Sequence, residues 1–271
     1  MASAQFTLYG APASPHSEKV ELALKEGNIP YKYYSVDFDN KPAFFAEQIN
    51  PIGKVPAITY GGPDVDPEKP SPLSVKLTES NVILEFVADI YPEAKLMPID
   101  PVQRARVRFI IEVATRTYLP AYMAWILNQE PQATENHLSA IEFLQQLLPN
   151  SGEYAVGDCY TIADACITPL ILRLQLSIEH DIGKFPVGNG PKFGELLKDP
   201  KYAKFMTYAS AITARPVAKE TWNPVSEIDL FVSRFVFDWT KKKEIVKEVW
   251  NYLLGRESTF ELTAEQKGAR R

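Results

Sequence analysis

The segment YGAPASPHSEKV, residues 9–20, lies where an apolar strand pattern changes to a helical one. The strand pattern covers residues 6–9, and a helix is predicted for residues 15–25 because apolar positions share one face and Gly27 follows as a stop. Ser14 stands directly before Pro15, the usual order of a helix N-cap and a first helical residue. The segment therefore predicts a strand that turns sharply into a helix.

The flanking sequence divides the chain into two kinds of pattern. Short apolar runs and helical patterns alternate through residues 1–92, which predicts an α/β domain with four strands and some parallel pairing. Strand signals end before residue 101, and helical periodicity dominates residues 101–271, which predicts an all-α bundle. The predicted strands after the first are 31–36, 56–60 and 74–77; the predicted helices are 79–90, 102–127, 134–148, 161–179 and 201–214, and residues 61–72 are a predicted loop.

Composition limits the classes of partner. The net charge is −5 and no long Lys/Arg run occurs, so neither nucleic acid nor an anionic membrane is an expected partner. No apolar stretch reaches roughly 18 residues and the first residues lack a signal pattern, so a cytoplasmic location is expected. Cys159 and Cys166 are predicted to be reduced thiols, Cys166 in the core, with no metal site.

Four segments occur in the order typical of one superfamily: residues 9–20, NPIGKVPA at 50–57, TESNVI at 78–83 and GDCYTIAD at 157–164. On these segments the chain resembles cytosolic glutathione transferases of the serine type, in particular fungal transferases related to the yeast nitrogen regulator, with phi- and omega-like features. The resemblance implies a thioredoxin-like first domain with a mixed four-stranded sheet, followed by a helical bundle. It also implies glutathione as co-substrate, no metal, an apolar small-molecule partner and a homodimer.

The resemblance makes Ser14 the catalytic residue, as the hydroxyl that donates to the glutathione sulfur. A helix dipole contributes only about 0.3–1 kcal/mol to a thiolate, less than the roughly 1.4 kcal/mol that one unit of pKa depression represents. A hydrogen bond from a hydroxyl to the thiolate contributes about the same stabilising free energy as the dipole, or more. The structural alternative for Ser14 is a simple N-cap, and Tyr9 and Ser17 are the alternative donors. No cysteine lies at this turn, which disfavours thiol–disulfide exchange.

The resemblance also suggests the glutathione-binding residues. Val55, before a Pro56 expected to be cis, would pair with the tripeptide backbone. Lys41 or Lys54 would pair with the glycyl carboxylate, although each lysine taken alone is more typical of a solvated surface residue. Glu79 and Ser80, at a helix start predicted to be capped by Thr78, would hold the γ-glutamyl end. Thr161 and Asp164 form a predicted capping box with a structural role.

The predicted helix at 102–127 carries residues for a second-substrate pocket. Tyr118, Tyr122, Met123 and Trp125 would line it near a predicted break at Leu119-Pro120, although aromatic residues at helical spacing are also typical of a core. Arg108, Glu112 and Arg116 are polar neighbours that could orient a substrate. Beyond residue 224 an apolar-rich extension is predicted to pack as added helix, and residues 265–271 to be disordered.

Three functions are compatible with these patterns. The first is a glutathione transferase that conjugates the thiolate to apolar electrophiles, reduces organic peroxides, or does both. The second is a ligand-binding or regulatory protein that keeps the glutathione site with little turnover. The third is an interaction module that binds no glutathione.

Overall fold

A computed structural model of the chain describes residues 5–235, and its first part is built on a four-stranded mixed sheet. The strands are β1 (Phe6–Gly10), β2 (Lys32–Ser35), β3 (Ala57–Tyr60) and β4 (Val75–Thr78), in the spatial order β2-β1-β3-β4. β1 runs parallel to β2 and antiparallel to β3, and β3 runs antiparallel to β4. The first part also contains the helices α1 (Pro15–Glu26) and α2 (Ser80–Ile90), a π-helical segment, Phe45–Ile49, and a short 3-10 helix, Pro92–Ala94. The predicted mixed sheet is confirmed.

The rest of the described chain is helical, as predicted. The predicted break at Leu119-Pro120 is wrong, because a π-helical segment, Ala114–Tyr118, carries the chain from α3 into α4 without interruption. Proline has no N–H, and its ring crowds the carbonyl four residues earlier, so a wider turn before Pro120 accommodates it. The helices are α3 (Pro101–Val113), α4 (Leu119–Ile126), α5 (Ala133–Leu147), α6 (Ile162–Glu179), α7 (Asn189–Leu196), α8 (Ala203–Thr213), α9 (Pro216–Thr221) and α10 (Pro224–Phe235).

α10 covers the beginning of the apolar C-terminal extension. The predictions for residues 236–271, including the charged stretch 265–271, lie outside the described residues. Across residues 5–235, no helix combines the length and the hydropathy that a membrane span needs.

α6 is the buried centre of the helical part. The predicted capping box at its start is confirmed: the Asp164 carboxylate accepts from the Thr161 amide at 2.8 Å, while the Thr161 hydroxyl accepts from the Ala163 amide at 3.3 Å. Asp164 also accepts from the Tyr208 hydroxyl at 3.0 Å. Burial raises the pKa of Asp164 to about 6 although these hydrogen bonds oppose the rise. Asp164 therefore joins α6 to the surrounding bundle, the structural role predicted for it.

The start of α2 differs from the prediction. Thr78 does not cap the helix, because it still pairs with Ala57 as the last residue of β4. Glu79 occupies the N-cap position with φ 64° and ψ 105°, and its side chain makes no capping hydrogen bond. A positive φ at a non-glycine residue costs about 1–3 kcal/mol and commonly marks a functional site. The strained residue lets the chain leave the strand and enter α2 within a single position.

Candidate functional site

The sheet brings three of the sequence segments to one end. In the strand ladders Tyr9 of β1 pairs with Ala57, and Ala57 pairs in turn with Thr78 of β4. Ser14 follows β1, Val55 precedes β3 and Glu79 follows β4, so all three segments lie at the same sheet end. The peptide bond between Val55 and Pro56 is cis, as predicted.

Ser14 is the N-cap of α1, with Pro15 as the first helical residue. Its Oγ accepts from the Ser17 amide at 3.2 Å, which confirms that Ser14 is an N-cap. A serine hydroxyl can donate one hydrogen bond while it accepts another, and within residues 5–235 no acceptor takes the Ser14 proton. Ser14 therefore caps the helix with its oxygen and can still donate its hydroxyl proton to a ligand.

A cleft of about 520 Å³ opens between this sheet end and the helical part. One wall comes from the first part of the chain and includes Ser14, and the other comes mainly from α4, α6 and α10. The first wall consists of Ala13, Ser14, Pro15, His16, Phe38, Lys41, Lys54 and Val55; the second consists of Leu119, Tyr122, Met123, Ile126, Leu127, Leu170, Arg173, Glu227 and Leu230. A largely apolar cleft with a few convergent polar groups is typical of a small-molecule site.

Most of the predicted glutathione-binding residues lie in this cleft. Lys41, Lys54 and Val55 line it together with Ser14. Glu79 and Ser80 are not among the lining residues, although they lie at the same sheet end, with Glu79 exposed. The structure thus groups four of the six predicted residues in one cavity and sets the other two beside it.

The two alternative hydroxyl donors do not line the cleft. Tyr9 is buried against Phe45 and Val36, and its hydroxyl donates to the Pro67 carbonyl at 2.8 Å in the loop between β3 and β4. Ser17 is buried, and its Oγ accepts from the Ala11 amide at 3.2 Å. Ser14 alone of the three predicted donors is a lining residue.

α4 supplies the apolar wall through one face. Leu119, Tyr122, Met123, Ile126 and Leu127 follow the spacing of a single helix face. Of the four residues predicted for the pocket, only Tyr122 and Met123 line it. Tyr118 and Trp125 instead pack in the core, in an aromatic cluster around the buried ring of His137.

The polar residues suggested as substrate-orienting groups are not in the cleft. Arg108 holds Glu85 of α2 by two hydrogen bonds of 2.8 Å, from Nε to Oε1 and from Nη2 to Oε2. Arg116 and Glu112 form an exposed ion pair with each other. Neither α3 nor the π-helical segment that follows it brings any of these three side chains to the lining of the cleft.

Sequence reasoning missed the ionisable groups of the cleft floor. Arg173 of α6 is buried between two carboxylates, with Nη1 2.5 Å from Glu18 Oε2 and Nη2 2.9 Å from Glu227 Oε2. Burial raises the pKa of Glu18 to about 7 although Arg173 opposes the rise, and burial likewise raises the pKa of Glu227. A long-range triad from α1, α6 and α10 has no local sequence signature.

His16 was also missed, although it lies in a quoted segment. It lines the cleft two residues after Ser14. Burial, with Lys19 as the next cause, lowers its pKa to about 4, so the imidazole is neutral at neutral pH. Within residues 5–235, no three His, Cys, Asp or Glu side chains are grouped as a metal site. Cys159 is exposed, Cys166 is buried and neither forms a disulfide, as predicted.

Known proteins are similar to this chain both in sequence and in fold. The family model for the glutathione S-transferase N-terminal domain matches residues 8–95. A probable maleylacetoacetate isomerase of Caenorhabditis elegans is 31% identical over 212 residues, which are 73% of this chain and 91% of that protein. The crystal structure of glutathione transferase Omega 1C from Trametes versicolor superposes with a TM-score of 0.80 at 39% identity, covering 85% of this chain and 96% of that one. Omega 2S from the same fungus, solved in complex with 2,4-dihydroxybenzophenone, superposes with a TM-score of 0.77 at 35% identity. The superposition covers 87% of this chain and 100% of that one.

Proposed function

This chain belongs to the glutathione S-transferase superfamily of enzymes, and from that premise we propose that it activates glutathione through Ser14. Glutathione lies in the cleft with its sulfur at the start of α1. The thiolate then adds to an apolar electrophile, or reduces an organic peroxide, held against α4 and α6. The serine mechanism, the fungal relationship to the nitrogen regulator and the division at residues 1–92 and 101–271 are parts of the same proposal.

The placement of the Ser14 hydroxyl is the observation that carries this proposal. It caps α1 at a cleft wall, retains a proton to donate and lines a cavity of about 520 Å³. A free thiol has a pKa near 8.5, and a helix N-terminus with a hydrogen-bond donor favours its thiolate. His16 is neutral at neutral pH, so it adds no positive charge to a thiolate at this position.

The remaining predicted residues would hold the tripeptide. Val55 offers its backbone beside the sheet end, and exposed Lys41 and Lys54 offer ammonium groups for the glycyl carboxylate. Glu79 and Ser80 are proposed for the γ-glutamyl end, where the strained backbone of Glu79 is consistent with a constrained contact. A cytoplasmic location, with neither nucleic acid nor a membrane as partner, remains the expectation.

Glutathione binding tests this assignment directly. In calorimetric titrations the wild type is expected to bind glutathione, and Lys41→Met or Lys54→Met to weaken binding roughly fivefold, because an exposed ion pair is worth up to about 1 kcal/mol. Lys192→Met, an exposed lysine on α7 outside the cleft, is the matched control and should bind as the wild type does. A wild type that binds no glutathione would reject the proposal in favour of the interaction module.

A ligand-binding role is the second candidate function. It is favoured by the mainly apolar wall of the cleft and by the benzophenone bound to the Omega 2S relative. Turnover over a panel of electrophiles and hydroperoxides separates the two functions. Tight binding of aryl ketones with negligible turnover across the panel would support the ligand-binding protein.

We also propose a homodimer, built on the face of β4, α2 and α3. β4 is an edge strand of the sheet, and exposed apolar residues on these elements include Val75, Val82, Val102 and Phe109. An exposed apolar face of this kind typically marks a protein interface.

Replacing the aromatic residue of this face should weaken the dimer. Phe109→Ala is expected to raise the dimer dissociation constant about tenfold, because a buried aromatic anchor contributes more than 1 kcal/mol. Sedimentation equilibrium measures the change. Phe143→Ala, an exposed phenylalanine on α5, is the control. A monomeric wild type would refute the dimer.

A further inference from the structure

Arg173 is almost completely buried at the floor of the cleft. Its Nη1 donates to Glu18 Oε2 at 2.5 Å and to the Pro169 carbonyl at 2.9 Å. The ring of Trp222 covers one face of the guanidinium, with its centroid 5.2 Å from Cζ. These contacts fix the Nη1 side and one face of the group, which leaves the edge formed by Nε and Nη2.

That edge makes no hydrogen bond within the part of the chain whose side chains the structure describes. Glu227 Oε2 is 2.9 Å from Nη2 and forms an ion pair with it, but neither atom makes a hydrogen bond. A buried donor without a hydrogen bond costs about 1–3 kcal/mol, and more when the group is charged. The unfilled edge of a buried arginine therefore requires an explanation.

Two other arginines of the chain show what this edge binds. Arg108 uses Nε and Nη2 to hold both carboxylate oxygens of Glu85. Arg215 uses the same two atoms to hold both oxygens of Glu26, at 2.5 Å each. Paired N–H groups at a fixed spacing match a carboxylate, which is why such contacts are bidentate. The same edge of Arg173 could hold both oxygens of a carboxylate, whereas Glu227 contacts only Nη2.

We propose that the Nε–Nη2 edge of Arg173 binds a carboxylate carried by the apolar second substrate, and that Glu227 covers this edge until the substrate arrives. The inference rests on the proposed function, since it names the substrate class of the same cleft. Exchange of one carboxylate for another leaves the net charge of the floor unchanged. The Glu227 side chain is 19% exposed, so it has a route into solvent.

The position of Arg173 suits a substrate that reacts near Ser14. Glu18, the fixed partner of Arg173, follows Ser14 by four residues on α1, which is about one helical turn, or roughly 5.4 Å along the axis. The side chains around the floor are apolar: Leu119, Met123, Leu170 and Leu230. The geometry therefore selects an apolar electrophile whose carboxylate lies a few bonds from the reacting atom.

Two probes that differ only in charge test this site. Biphenyl-4-carboxylate and biphenyl-4-carboxamide are titrated calorimetrically into the full chain, first without glutathione and then with it. The wild type is expected to bind the carboxylate about tenfold more tightly than the amide. Glu227→Gln removes the competing carboxylate and leaves the Arg173–Glu18 pair in place, so it should fold normally. It is expected to tighten carboxylate binding about tenfold while amide binding changes less than about twofold.

A paired substitution removes the site and leaves only Glu227 of the two carboxylates, whose side chain is 19% exposed and has a route into solvent. Glu18→Gln with Arg173→Met is expected to abolish the preference for the carboxylate, with folding checked by circular dichroism. Equal affinity of wild type for both probes, no tightening in Glu227→Gln, or competition of the carboxylate probe with glutathione would each overturn the proposal. Carboxylate preference in a protein that binds no glutathione would reject the proposed function and retain this site.

Discussion

Ser14→Ala is expected to lower kcat/KM for conjugation of glutathione to an activated aryl chloride by about 10- to 100-fold. A hydrogen bond to a charged group is worth about 1.5–3 kcal/mol, and each 1.4 kcal/mol corresponds to a factor of ten. The lost bond is the one from the Ser14 hydroxyl to the glutathione sulfur. The thiol pKa of bound glutathione should rise by about one to two units, as followed by the ultraviolet absorbance of the thiolate.

Loss of the helix cap has to be separated from loss of the donor. Ser14→Ala also removes the acceptor for the Ser17 amide and destabilises the protein by about 1 kcal/mol. Asp100→Ala removes an equivalent cap, since Asp100 accepts from the Gln103 amide at 2.9 Å at the start of α3, away from the cleft. It should cost similar stability and leave kcat/KM unchanged. If both variants lose activity equally, or if Ser14→Ala keeps full activity, Ser14 is not the donor.

Arg173→Met is expected to lower the free energy of unfolding by about 3–5 kcal/mol above about pH 7, because it leaves Glu18 buried without a partner. Glu18 has a folded-state pKa of about 7, already above its ordinary value of 4.5, and loss of Arg173 raises it further. A raised carboxyl pKa stabilises the folded state below the unfolded value and loses that contribution as pH rises. The loss should therefore be smaller at about pH 5 than at about pH 8, as measured by urea denaturation.

An exposed arginine provides the matched control. Arg108 also binds a glutamate, Glu85, but its side chain is 48% exposed, so Arg108→Met should cost about 1 kcal/mol or less with little dependence on pH. The double substitution Glu18→Gln with Arg173→Met should recover most of the stability, because the carboxylate of the triad that is left, Glu227, has a side chain that is 19% exposed and can reach solvent. Equal losses for the two arginine variants would contradict the assignment of a buried triad.

Local patterns predicted the secondary structure well where the chain itself sets the geometry. Ser14-Pro15 predicted the start of α1, and Thr161 with Asp164 predicted the start of α6, since caps depend on residues within one turn. The same reasoning failed at Thr78, where the pairing of β4 with β3 keeps the residue in the strand. It also failed at Pro120, where a π segment replaces a break.

The sequence did not predict which side chains of the site line the cleft and which pack in the core. Tyr118 and Tyr122 lie four residues apart in an aromatic stretch that the sequence treats alike, yet one packs in the core and the other lines the cleft. Which face of α4 meets the cleft depends on how α4 packs on α5 and α6, and that is settled by contacts distant in sequence. The same holds for Tyr9, whose hydroxyl bonds to a loop 58 residues away.

The sequence by itself determined most of the helices and strands and the helical second part, because caps, turns and apolar periodicity act over a few residues. The mixed sheet and the family followed from the resemblance of four short segments. The same resemblance suggested Ser14, Lys41, Lys54 and Val55 as site residues, and in the structure these four line one cleft. Only the tertiary structure decided which residues line the cleft and that Arg173 joins Glu18 and Glu227 beneath it. The physical reason is that burial and charge pairing depend on neighbours brought together by folding, here from α1, α6 and α10, more than 40 positions apart along the chain.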